Sequence, residues 1–222
     1  MKSTLFSSLI LLAASAAHSQ TSPAASDAGR SAPVAAEAAA ATAPAPAPEK
    51  KPDVIFVPTP QAVVDEMLRM AEIGPKDVIY DLGCGDGRIV VTAAQRYGVK
   101  AVGYDIDPVR VQEAREKVRA AGVGHLVRIE QADVFTLDLT GASVITLYLL
   151  PQLNVRLMPQ LARLRTGSRI LSHNFDMRGA KPVEVRHVTV EPGGDGDFFV
   201  DEDGNHTVYK WVVPWEPEQA AP

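Results

Sequence analysis

Apolar positions along this chain fall into short runs separated by stretches of helical period, and from residue 78 onward the two alternate. Val78-Ile79-Tyr80 is a β-type run, Ile89 to Tyr97 repeats apolar residues at helical spacing, and Ala101-Val102-Gly103-Tyr104 is a second strand stopping at Asp105. Strand, helix and strand make one βαβ unit, which implies a parallel sheet. The alternation continues with a helix over Val109 to Ala121, a third strand at Leu126-Val127-Arg128-Ile129 and a fourth, wholly apolar, from Val144 to Pro151. A helix from Gln152 to Leu164, kinked or restarted at Pro159, leads to a fifth strand at Ile170-Leu171-Ser172. Val183 to Val190 and His206 to Val213 read as two long antiparallel strands closing the sheet. Upstream, Val63, Val64, Met67, Leu68 and Ala71 predict a first helix with Thr59 as N-cap, Pro60 at its first position and Gly74-Pro75 beyond its end. The Val109 to Ala121 helix is highly charged, so despite Val111, Ala114, Val118 and Ala121 on one side we read it as a solvated connector.

The first fifty residues break this pattern. Lys2, the apolar stretch Leu5 to Ala17 and the small residues Ala17 and Ser19 predict a secretory signal peptide over 1–19, too short in its apolar core for a stable membrane span. Residues 20–52 are Ala/Pro-rich with little to bury, which predicts a disordered linker. The globular domain is then expected over 53–216, with a disordered tail at 217–222; an exported, periplasmic or secreted protein follows, or a cytoplasmic one if the start is mis-assigned.

Composition adds constraints. At 222 residues and 46% hydrophobic content, the chain supports one sizeable core. A net charge of −5, with only scattered arginines at 156, 163, 165 and 169, argues against a nucleic-acid partner. Asp195, Asp197, Asp201, Glu202 and Asp203 crowd one loop but miss the calcium-loop register, so no metal site is expected. Cys84 is the single cysteine, so no internal disulfide can form, and it reads as a small turn residue.

The candidate chemistry lies between the first strand and its helix, at Asp81-Leu82-Gly83-Cys84-Gly85-Asp86-Gly87. Glycines there permit a sharp turn and bare main chain against a ligand, and the following helix N-terminus favours a negatively charged group. The dinucleotide spacing fails, because its third glycine would fall at Arg88. Asp105, 22 residues past Gly83, stands where an acid meets ribose hydroxyls in βαβ nucleotide sites.

That G-x-G-x-G turn, with Asp81 before it and Asp105 after, resembles motif I and its partner acid in class I S-adenosylmethionine-dependent methyltransferases. Together with Val57-Pro58-Thr59-Pro60, Thr146 to Pro151 and Ser172 to Met177, it is similar to the branch of ATP synthase c-subunit lysine methyltransferases and their bacterial relatives. The resemblance implies an α/β, Rossmann-like fold with a seven-stranded, mostly parallel sheet and a C-terminal antiparallel hairpin. S-adenosyl-L-methionine is the implied cofactor, held by Asp81, Gly83, Gly85, Gly87, Asp105 and, at the adenine amino group, Asp133. It also implies methyl transfer to a protein or small-molecule acceptor, in particular a protein lysine; on charge a nucleic-acid partner is not expected, and a monomer is expected. Tyr148 and Asp176 are expected to line the acceptor pocket, with His173 as proton acceptor. Asn174 stands where an acid is expected, which speaks against that position binding an ammonium. The competing reading is an exported, non-catalytic ligand-binding or scaffold domain that retains the fold.

Overall fold

The computed structural model describes residues 51–190 and 205–218. The signal segment, nearly all of the linker and the acidic loop therefore lie outside the described residues. In chain order the elements are α1 (Gln61–Met70), β1 (Val78–Leu82), α2 (Arg88–Tyr97), β2 (Lys100–Asp105), α3 (Pro108–Ala120), β3 (Val127–Gln131), β4 (Val144–Leu147), α4 (Pro151–Leu161), β5 (Arg169–His173), β6 (Ala180–Lys181), β7 (Glu184–Thr189), β8 (Asn205–Val212) and β9 (Glu216–Pro217). Seven strands form one sheet in the order β3-β2-β1-β4-β5-β8-β7. The first five are parallel and β8 joins antiparallel to β5, with β7 paired antiparallel to β8. This is the α/β class I methyltransferase architecture the sequence predicts.

The central strands β4 and β5 place apolar side chains on both faces of the sheet. Val144 and Leu171 join one core with Val63, Val64, Met67 and residues of α2 and α3, while Ile145 and Ile170 join a second core with Leu157 and Leu161 of α4 and Trp211. A two-residue period placed between two apolar layers leaves no polar face, which is why these strands read as continuous runs. Trp211 is fully buried and its indole N–H donates to Ala180 O at 2.8 Å, so its one polar atom is satisfied.

Four local expectations change. Thr59 does not cap α1: its hydroxyl lies 3.1 Å from His173 Nδ1, and Pro60 holds the cap position without a side-chain bond. The long-range partner outcompetes the local cap. Helix α3 is more than a connector, because Val111, Ala114 and Val118 are buried against the sheet. The fourth strand ends at Leu147, since Pro151 starts α4 at the position where a missing N–H costs nothing; α4 then runs through Pro159. The chain end is also held further than expected. β9 pairs with β6, and Glu218 N donates to Gly179 O at 3.1 Å. No helix of the described residues is long and apolar enough to cross a membrane.

Candidate active site

The sheet reverses its direction of growth between β1 and β4, and in open α/β sheets ligands bind beyond the strand ends at such a point. A cleft lies there, walled by the ends of four strands through Asp81, Gly83, Asp105, Asp133 and Tyr148, and by the N-terminal segment Pro52–Val57.

The turn after β1 needs its glycines. Gly83, Gly85 and Gly87 have φ of 81°, 52° and 77°, the left-handed region that L side chains rarely adopt. Gly85 is the tightest, for a Cβ there would lie 2.2 Å from the Phe56 ring. The aromatic ring thus presses on bare main chain, while the Arg110 guanidinium stacks 4.8 Å from its centroid. Asp105 fixes the same turn: one carboxylate oxygen accepts from Gly85 N at 2.8 Å and the other from Asp107 N at 2.9 Å. Each oxygen retains a second lone pair for a hydroxyl.

Asp81 sits at the floor, 2% exposed, with the Thr146 hydroxyl donating to one oxygen at 2.7 Å and no protein partner for the other. Burial, outweighing the Thr146 bond and reinforced by the Asp105 and Asp86 charges, pushes its carboxyl up to about 7. An orphaned buried carboxylate oxygen beside a cleft suits a cationic ligand group, because pairing it removes the desolvation penalty. The helix N-terminus is different from the sequence expectation. Asp86 already accepts from Arg88 N at 3.2 Å, and Arg88 and Lys117 bridge it. Burial raises its carboxyl, but those two cations outweigh burial and hold it below the usual range. The anion expected from a ligand is thus partly supplied by the chain itself.

Asp133 lines the cleft while its carboxylate also caps the turn Val134–Thr136, accepting from Phe135 N at 3.1 Å. Cys84 is buried, and burial first, then the nearby Asp81, Asp105 and Asp86 charges, push its thiol well above the usual range. It is an inert packing residue against Gly103.

The three candidate catalytic residues separate. Tyr148 lines the cleft, and burial pushes its phenol up to about 12 despite the Asn174 side chain, so it stays protonated and cannot serve as a base. His173 is placed behind the wall: fully buried, its ring lies 3.9 Å from that of Tyr148, and its Nε2 is 2.9 Å from His206 Nδ1. Burial, then His206, lowers its pKa to about 3. Its ring has no exposed surface and packs behind Tyr148 rather than lining the cleft. Asp176 is not among the cleft residues; its main-chain carbonyl is held by Asn154 Nδ2 at 3.2 Å. Sequence reasoning missed the roofing segment Pro52–Val57 altogether. The only signal was the unusual cluster of Val54, Ile55, Phe56 and Val57 directly after the Pro-rich stretch.

The arrangement fits the expected adenosyl cofactor: a carboxylate fixed to the glycine turn with lone pairs to spare, and an orphaned acid for an ammonium, both among the residues that line the cleft. Comparisons with known proteins agree. The model of the ANTKMT methyltransferase domain matches residues 81–184. A protein-lysine N-methyltransferase of Saccharolobus islandicus is 42% identical over 164 residues, covering 73% of this chain and 95% of that protein. An ATP synthase c-subunit lysine N-methyltransferase of Xenopus laevis is 31% identical over 135 residues, which span 59% of this chain and 57% of its own length. Among solved structures, an RNA methyltransferase from Salinibacter ruber in complex with S-adenosyl-L-homocysteine is 43% identical, covers 74% of this chain and 98% of its own, and has a TM-score of 0.63. On the strength of identity that runs nearly end to end through the archaeal enzyme, this chain belongs to the class I S-adenosylmethionine-dependent methyltransferases, in the branch described by the ANTKMT methyltransferase domain.

Proposed function

We propose that the chain methylates the ε-amino group of lysine in a protein. The observation that carries the acceptor class is the 42% identity to a protein-lysine N-methyltransferase over 95% of that protein's length. When bound, S-adenosylmethionine supplies an electrophilic sulfonium methyl group. The protein's part is positioning and exclusion of water. Asp105 would hold the ribose hydroxyls, Asp81 the amino-acid ammonium and Asp133 the adenine edge. Tyr148, held from behind by His173, orients the acceptor.

Incubation with methyl-labelled cofactor and fractionated lysate tests this reading. Label is expected in protein and, after acid hydrolysis, as methyl-lysine; label in RNA, the acceptor for which the Salinibacter enzyme is named, would overturn it. Because the Tyr148 hydroxyl is itself buried and only the rest of the ring lines the cleft, Tyr148→Phe should leave S-adenosylhomocysteine affinity and kcat within about twofold, whereas Tyr148→Ala, which takes the ring out of the wall, should lower kcat roughly tenfold or more. Full turnover by the alanine protein would remove the Tyr148 ring from the mechanism.

A further inference from the structure

A second hollow adjoins the cofactor cleft and is lined by Val54, Ile55, Val57, Tyr148, Leu150 and Phe175. The first four of these also wall the cofactor cleft, so the two spaces meet at Tyr148. The Phe175 ring stacks parallel to that of Tyr148, with centroids 6.0 Å apart and 23° between planes. Asn154 holds the Phe175 carbonyl at 3.0 Å, which fixes this edge of the opening. No lining residue carries a charge.

We propose that this hollow is the acceptor port: it takes the unbranched aliphatic stem of a primary amine and admits the amine in its neutral form, with no protein base removing its proton inside. The proposal rests on the lysine reading and adds its entry route and protonation state. A lysine stem gains about 0.8 kcal/mol for each methylene it buries, whereas an ammonium entering the same walls loses hydration with no carboxylate to meet it. Of the candidate bases, His173 has no exposed surface and Asp176 lines neither hollow, while the carboxylates Asp53, Asp81, Asp86, Asp105, Asp107 and Asp133 line the cofactor cleft and not the port. The amine therefore sheds its proton to solvent on entry. Its lone pair then forms the N–C bond as the C–S bond breaks, positive charge passes from sulfur to nitrogen, and the product ends in solvent as the methylated ammonium, so the one proton released per turnover is the one shed on entry.

Leu150 offers a clean test because it lines the port and not the cofactor cleft. It also holds the N-cap position of α4 without a side-chain bond, where aspartate is a favoured residue, so Leu150→Asp should leave the helix intact. Steady-state rates on single-lysine peptides should show kcat down at least tenfold in Leu150→Asp, with S-adenosylhomocysteine affinity within twofold of wild type by calorimetry. Leu150→Phe, which narrows the port without charge, should raise KM with the same unchanged affinity. On wild-type enzyme, log kcat/KM should rise with pH at unit slope. Replacing a lysine methylene by sulfur, which lowers the amine's own pKa, should move that limb down by the same amount. A limb that ignores the acceptor, or full activity in both Leu150 variants, overturns the port. Wild-type enzyme that labels no lysine peptide overturns the lysine reading itself and the port's occupant with it.

Discussion

Asp105→Ala is expected to weaken S-adenosylhomocysteine binding at least about a hundredfold, because two charge-assisted hydrogen bonds of roughly 1.5–3 kcal/mol each organise the turn. The carboxylate ties Gly85 N and Asp107 N at once, and both N–H groups lose their acceptor when it goes. The ribose loses its partner in the same step. Asp105→Asn keeps one acceptor oxygen and should fall between the two proteins. Isothermal calorimetry on the three proteins, with circular dichroism to check the fold, measures this. Affinity in the alanine protein within fivefold of wild type would mean that Asp105 holds the loop and no ligand.

The second large effect is a dependence on pH that belongs to Asp81. Its folded carboxyl titrates near 7 against an ordinary 3.8, so between those values the unfolded chain releases a proton that the folded chain keeps. Asp81's own contribution to stability without cofactor is therefore greatest below about 4, falls as pH rises, and levels off above about 7, with a total loss of roughly 4 kcal/mol. Asp77 and Asp86, whose carboxyls are held low in spite of burial by Arg169 and by Arg88 with Lys117 respectively, work in the opposite sense. The measurement is thus the difference between wild type and Asp81→Asn, since the amide imitates the protonated acid and keeps the acceptor for Thr146. Urea titrations at intervals between pH 4 and 8 should show the asparagine protein gaining on wild type throughout that window. A constant difference would mean the carboxyl is solvated and ordinary. If Asp81 also receives the cofactor's ammonium, binding below pH 7 must expel its proton, and calorimetry in buffers of different ionisation enthalpy should count about one proton released.

Much of this architecture was legible because it rests on local pattern. The βαβ unit, the five parallel strands and the closing hairpin follow from two-residue and helical periods, and the glycine turn from residue identity and spacing. What was missed depends on partners distant in sequence. Thr59 has a good cap's chemistry, yet its hydroxyl meets a histidine 114 residues away. α3 buries only three small or medium side chains, too weak a stripe to stand out among its charges. Strands of two residues, such as β6 and β9, carry no period at all. His173 was singled out for its chemistry, while its burial is decided by Tyr148 and His206 packing on its two sides. The same limit hid the roof over the cleft, since Val54 to Val57 reads as an ordinary lead-in until Phe56 is seen against Gly85.

That roof ties the two substrates together thermodynamically. Val54, Ile55 and Val57 touch both hollows, so whatever one ligand gains by ordering them, the other no longer has to supply. Coupling of this kind is reciprocal: the acceptor should tighten the hold on the methyl donor by the same factor as the donor tightens the hold on the acceptor. A transferase built this way discourages idle turnover, because water alone orders nothing.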